Sequence, residues 1–212
     1  MERKKYLLIS DGSSDKCLLP IIDFVLNAHF PNLVFEGQWA DYKFLRKPPQ
    51  SLSEKISSGI DLYEPDWVFV HRDAEAVANP LKKRSEEIQM AVEAAKYASK
   101  NIFIEIIPIK MMETWLLIDE MAIRKAANNP NGKVKIQLPA IRQLENLSQP
   151  KELLFDLLKQ ASGLPQGRKL NNLNVFKIRH FVAEYIADYD LLRQLSSFQH
   201  FEAQLVYLKA KI

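Results

Sequence analysis

Along this chain, unbroken apolar runs alternate with stretches in which apolar residues recur every three or four positions. Tyr6, Leu7, Leu8 and Ile9 form the first run, bounded by charge, and predict a strand over residues 6–9. Gly12 then permits a tight turn, and Ser13 or Ser14 can cap a helix. That helix carries Leu18, Ile22 and Val25 at helical spacing and runs to about Ala28. Residues 33–39 predict a second strand, and residues 41–50 a polar, basic loop that ends in two prolines. Leu52, Ile56 and Ile60 mark a short helix over 51–63. After Pro65, the run Trp67, Val68, Phe69 and Val70 reads as a strand buried on both faces. Asn79 and Pro80 supply a capping residue and a first-turn proline for a helix over 79–99. Its apolar face is Leu81, Ile88, Val92, Ala95 and Ala98, while Lys82, Lys83, Arg84, Glu86, Glu87 and Glu93 read as solvated. A further strand is expected over 102–109, a helix over 111–127, and a break at 128–132 with Pro130 and Gly132.

Strands and helices that alternate in this way predict an α/β fold. The expected core is Rossmann-like, a mainly parallel sheet of about four strands with helices on its faces. Beyond the break the pattern is helical, over 151–161, 170–187 and 191–210. The expected organisation is therefore an α/β domain over 1–127 and a helical subdomain over 128–212 packed on it.

Composition adds boundaries. At 212 residues, 47% hydrophobic, the chain is long enough for one sizeable core. Net charge is +3, so the overall balance does not announce a nucleic-acid binder, and local basic patches decide the matter. With Cys17 as the single cysteine, no intrachain disulfide is possible, which suits a reducing compartment. The N-terminal apolar run is too short for a signal peptide, and nothing approaches a membrane span. A cytoplasmic protein without membrane contact is expected.

The chemistry collects at the ends of strands. Asp11 follows the first, His71, Arg72, Asp73 and Glu75 follow the central one, and Glu113 follows the fourth. In open α/β sheets ligands bind beyond the carboxyl ends of the strands. If the backbone stays extended, Asp73 and Glu75 face the same way, about 6.6 Å apart along the chain. Such carboxylates repel unless a cation lies between them, and a hard divalent cation with oxygen ligands suits them. The other candidates have simpler readings as well. Glu113 and Asp15 also suit first-turn helix acids, Asp119 a solvated helix residue, His71 packing or hydrogen bonding, and Trp115 core. Arg72 either neutralises a phosphate or pairs with Glu75. Lys151, Arg168, Lys169, Lys177 and Arg179 offer a phosphate-facing patch, and surface lysines are the simpler account of most of them.

A strand ending in an acid–glycine pair, followed by a strand ending in D-x-D or D-x-E, resembles the TOPRIM domain. The segments 10–15, 71–75 and 112–119 together resemble a family of small prokaryotic TOPRIM-like proteins often encoded beside ABC-type or AAA ATPases. The resemblance extends to Pro150, Lys151 and Glu152 and to Ser196, Ser197 and Phe198, and so spans most of the chain. It implies a Mg2+- or Mn2+-dependent nuclease acting on DNA or RNA, an effector of an ATPase-linked defence or repair system. Asp11, Asp73 and Glu75 are then the metal ligands, Asp11 and Glu113 the catalytic acids, and Arg72, Lys151 and Lys169 the phosphate contacts. The first acid in TOPRIM domains is usually glutamate, and here it is Asp11, one methylene shorter. That departure favours the competing reading, a non-catalytic binding or regulatory subunit of an ATPase or nucleic-acid complex.

Overall fold

The computed structural model describes residues 2–75, 78–96 and 98–211. Its strands are β1 (Glu2–Ile9), β2 (Leu33–Trp39), β3 (Trp67–His71) and β4 (Ile102–Ile106), linked by helices α1 (Leu19–His29), α2 (Leu52–Tyr63) and α3 (Pro80–Ala94). Beyond the sheet follow α4 (Glu120–Ala126), α5 (Pro150–Ala161), α6 (Arg168–Asn171), α7 (Val175–Tyr185) and α8 (Ser196–Lys209). The four strands are all parallel, in the order β2-β1-β3-β4, with Ile9 opposite Val70 and His71 opposite Ile106. This is the α/β architecture with a Rossmann-like core that the alternation of elements predicts. No helix among the described residues is long and apolar enough to cross a membrane.

Strand side chains alternate between two apolar layers, because successive residues point to opposite faces of a sheet. Tyr6 and Leu8 of β1 and Trp67 and Phe69 of β3 join α1 and the C-terminal helices on one side. Leu7, Ile9, Val68 and Val70 meet Ile56 of α2 and Ile88 of α3 on the other. Each such buried side chain contributes roughly 1.5–3 kcal/mol. The segment 128–212 shares the first layer. Leu154 and Leu158 of α5, Val182 of α7, and Phe198, Phe201 and Leu205 of α8 lie in one cluster with Leu8 and Phe69.

Several expected helices are broken. Residues 111–127 form a 3-10 turn at Met112–Leu116 and then α4, because Asp119 accepts a hydrogen bond from Ala122 N at 3.0 Å and starts the helix afresh. Asp119 is thus a cap, not a solvated helix residue. The 3-10 turn is buried throughout, so it has no polar face to show helical periodicity. The stretch 170–187 divides into α6 and α7, and Asn174 caps α7 through Lys177 N. The stretch 191–210 divides into a 3-10 turn at Asp190–Gln194 and α8. Asn79 starts α3 from a left-handed conformation, φ 49°, without a side-chain cap. The helix expected over 79–99 ends at Ala94, and Tyr97 within that span lies outside the described residues. The strand expected over 102–109 ends at Ile106.

Two features of α8 fasten it to the rest of the fold. The Gln204 side chain accepts from Glu105 N at 2.8 Å and donates to Glu105 O at 3.0 Å, on the outer edge of β4. Glu202 accepts from Arg193 Nε at 3.0 Å and Nη2 at 2.8 Å, and lies 2.8 Å from His29 Nε2 of α1. Burial pushes the Glu202 carboxyl up, but Arg193 and His29 outweigh it and hold the group below its ordinary 4.5. A carboxylate depressed in the folded state contributes stability that is complete above its unfolded value and lost as pH falls through the folded one. We expect Glu202→Gln to lower the melting temperature near neutral pH, and the gap from wild type to shrink in melts taken at successively lower pH below about 4.5. A gap that does not change with pH would remove the charge from this contact.

Gly37 of β2 lies opposite Tyr6, whose ring would stand 2.1 Å from a Cβ placed there. Tyr6 cannot swing away freely, because its hydroxyl donates to Asp23 at 2.7 Å from within the core. Gly37→Ala is expected to cost about 1–3 kcal/mol by overpacking, read by urea denaturation.

Candidate functional site

The sheet order places its topological switch point between β1 and β3, since the chain leaves β1 to build β2 on one side and β3 on the other. Beyond β1, Ser10 is buried; its Oγ accepts from Trp39 Nε1 at 2.9 Å and donates to Gly12 O at 3.2 Å. Gly12 has extended backbone, so left-handed freedom is not what this position uses. The turn is held instead by the buried Asp15, which accepts from Gly12 N and Ser14 Oγ, each at 3.1 Å.

Asp11 stands at the mouth of this turn between two cations. Lys55 Nζ of α2 donates to Oδ1 at 2.8 Å, and Arg72 Nη1 to Oδ2 at 2.6 Å. Partial burial raises its carboxyl, but Lys55 and Arg72 together hold it below its ordinary 3.8. Arg72 pairs with Asp11 and, at 3.7 Å, with Glu87, not with Glu75.

His71 is buried at the end of β3, with Nδ1 3.1 Å from Ile106 O and Nε2 3.4 Å from Asp73 Oδ1. Burial pulls its pKa down; the Asp73 bond and charge, Asp15 and the Ile106 carbonyl outweigh that and raise it above 6.5. Packing and hydrogen bonding are the roles the sequence suggests for it. Asp73 Oδ1 also accepts from Met112 N at 2.8 Å.

Glu75 departs from the extended geometry. Its φ is 53°, it faces Lys110 (φ 67°) in an isolated antiparallel bridge, and its N–H donates to Lys110 O at 2.8 Å. Two non-glycine residues in left-handed backbone store local strain of about 1–3 kcal/mol each, a feature that clusters at functional sites. The alternation that would set Asp73 and Glu75 side by side is broken there. The exposed Glu75 carboxylate goes to Arg84 Nη2 at 3.0 Å.

Arg84 and Glu87 belong to this network, although the sequence reads them as solvated. Arg84 is buried; its Nε donates to Asp73 O at 2.9 Å and its Nη1 to Glu87 at 2.6 Å. The signal was present, because Arg84 falls three residues after Leu81 and four before Ile88, on the apolar face of α3.

Glu113 is buried and ion-paired with Arg179 of α7. Burial pushes its carboxyl up, opposed by Arg179 and Lys151 and reinforced by the Asp73 charge. Arg179 therefore balances an internal acid and is no part of an exposed basic patch. Lys151 of α5 stands over the rings of Phe155 and Phe176, at 6.0 and 5.7 Å. Lys169 lies exposed on α6, and Trp115 is core, its Nε1 donating to Ser197 Oγ at 3.0 Å.

The fold thus brings Asp11, Arg72 and Asp73 to adjacent strand ends, with Glu75 and Glu113 committed to Arg84 and Arg179. The repulsion expected among bare carboxylates is relieved by cations from α2, α3, α7 and the loop after β3. Among the described residues, no three His, Cys, Asp or Glu side chains stand together at metal-binding distance. In kind, the donors fit a hard divalent cation. The bonds described to the Asp73 carboxylate fall on Oδ1 alone, and Asp11 offers two oxygens that Lys55 and Arg72 now hold.

Comparison with known proteins gives no matching family model, no matching curated protein and no matching solved structure.

The buried Glu113–Arg179 pair yields a stability test. Arg179→Met leaves an uncompensated internal carboxylate and is expected to cost about 3–5 kcal/mol in urea denaturation. Adding Glu113→Gln should recover most of the loss. A double variant no more stable than the single one would show that Arg179 acts by packing.

Proposed function

We propose that this chain is a Mg2+- or Mn2+-dependent nuclease with a TOPRIM-like core, acting on DNA or RNA in the cytoplasm. The observation that supports it most is the placement of Asp11 and Asp73 beyond the adjacent ends of β1 and β3, at the switch point, with Lys55 and Arg72 on Asp11. Asp11 and Asp73 would hold the metal, which when bound supplies charge neutralisation on the phosphate and stabilises the leaving oxygen.

The chain's own residues do the rest. An incoming phosphodiester competes with Asp11 for Lys55 and Arg72, whose N–H groups suit phosphate oxygens as well as they suit a carboxylate. Asp11, released from those partners, can accept a proton from a water aligned on the phosphorus. His71 and Met112 N hold Asp73 in one orientation. Glu113, buried and paired with Arg179, lies near enough to Asp73 for their charges to interact. In this scheme Glu75 orders the loop after β3 through Arg84.

A second reading has its own support. Asp11, Glu75 and Glu113 are already neutralised by the protein's cations, an arrangement that serves a binding or regulatory subunit of an ABC- or AAA-type ATPase without any cutting. A cleavage assay on DNA and RNA in Mg2+ or Mn2+, with and without the ATPase, separates the two. Metal-dependent cleavage is expected, with Asp73→Ala reducing the rate about 100-fold or more, equivalent to several kcal/mol of lost charge stabilisation. Asp11→Glu should retain or raise the rate. Binding to nucleic acid or to the ATPase with no cleavage in either metal would leave the binding-subunit reading standing.

A further inference from the structure

Beside Asp11, on the β2 side of β1, lies a cleft of about 370 Å3. Its walls include Trp39, Tyr42, Lys43, Pro48 and Lys55, and Asp11 forms the border it shares with the site above. The volume falls at the lower end of the roughly 300–1,000 Å3 typical of ligand clefts, room for about one nucleotide.

The walls are tied together by hydrogen bonds. Trp39 is fixed by its Nε1–H bond to Ser10 Oγ, with Lys16 Nζ 4.6 Å from the ring centroid. The buried Tyr42 donates to Lys55 O at 2.5 Å, and Asp41 accepts from Lys43 N at 3.0 Å. Tyr63 Oη, 3.0 Å from both Asp41 N and Asp41 O, ties the start of the loop to α2. From this base the loop projects Lys43, Phe44, Arg46 and Lys47, all exposed, and Phe44 is 67% exposed. An exposed phenylalanine among three cations gains little from water. It suits a flat π-face arriving with negative charge, the chemistry of a nucleobase on its phosphate strand. Bases stacked in a duplex do not offer that face, whereas unpaired bases do.

We propose that this cleft and the loop 43–47 bind single-stranded nucleic acid, one nucleotide seated against Trp39 and a neighbouring base stacked on Phe44, so that the strand runs on to Asp11. The proposal deepens the nucleic-acid reading of the site and rests on it. Lys43, Arg46 and Lys47 neutralise phosphates along the track, and Lys55 is shared between cleft and site.

The test uses the full chain with chelator present, so that binding is read without cutting. The probe is an oligothymidylate or oligouridylate of about 12 nucleotides, within the span that such grooves cover. The chain has three tryptophans, of which Trp67 and Trp115 are buried, so quenching of indole fluorescence reports on Trp39. We expect saturable quenching, absent in Trp39→Phe even where fluorescence anisotropy of labelled probe still shows binding. Phe44→Ala should weaken binding about 10-fold. Lys43→Ala/Arg46→Ala/Lys47→Ala should weaken it further and reduce the slope of log K against log salt by about 2. Unchanged melting temperatures in these surface variants confirm that the fold is kept.

Wild-type affinity in the Phe44 and triple variants overturns the proposal, as does a preference for duplex over single strand or no binding at all. If those variants bind as wild type while Mg2+-dependent cleavage is observed, the subsite fails and the nuclease reading survives. If they lose binding while no cleavage is found in either metal, the subsite stands and the nuclease reading fails.

Discussion

Arg84 holds the turn after β3 with a single side chain. Its three donors reach the Asp73 carbonyl, the Glu75 carboxylate and the Glu87 carboxylate. Through Glu87 the set continues to Arg72, from Arg72 to Asp11, and from Asp11 to Lys55. One ladder of alternating charge therefore crosses from α3 to α2 over the ends of β3 and β1. Its inner rung is nearly dry, since Arg84 is buried. A charge so placed is stabilising only while its partners stay in position, because an unpaired buried ion is far more costly than a solvated one. The left-handed backbone at Glu75 is one strain that this arrangement keeps in place.

The ladder gives the site a particular electrostatic character. Asp11 is met by Lys55 and Arg72, Glu75 by Arg84 and Glu113 by Arg179, so these acids are balanced before any ligand arrives. In the proposed nuclease a ligand would have to exchange partners: an anion would take over Lys55 and Arg72, and a metal cation Asp11. Either exchange would leave behind groups suited to the other, which would couple the two through Asp11, whose carboxyl is held low.

The centre of the sheet is legible in the sequence because β3 and the second half of β1 are short apolar runs buried on two sides, a pattern that few other elements share. Residues 33–39 also match their expected bounds, although β2 lies at the margin and is largely exposed. Helices were read less well wherever burial was complete or a local cap intervened. The turn at Met112–Leu116 is buried throughout, and Asp119 restarts the helix by a bond that spacing alone does not reveal. The position of Asp11, Arg72 and Asp73 at neighbouring strand ends is readable because each lies within two residues of the end of a strand. The partner of Glu113 is not, because Arg179 lies on α7, far along the chain, and only packing brings them together. Glu75 departs from the expected geometry for a backbone reason: four residues beyond the end of β3, the chain is no longer extended.

Gln204 has a consequence for how the sheet behaves towards other chains. A peptide amide pairs with an outer strand by offering one N–H and one C=O, and the Gln204 side chain presents the same pair to Glu105. It occupies the outer side of β4 as a one-residue imitation of a fifth strand, carried by a helix and unable to propagate. At the opposite margin β2 is followed by no further strand among the described residues. At Glu105, by contrast, the β4 margin is closed by the chain's own amide, which denies that position to the N–H and C=O of any additional strand.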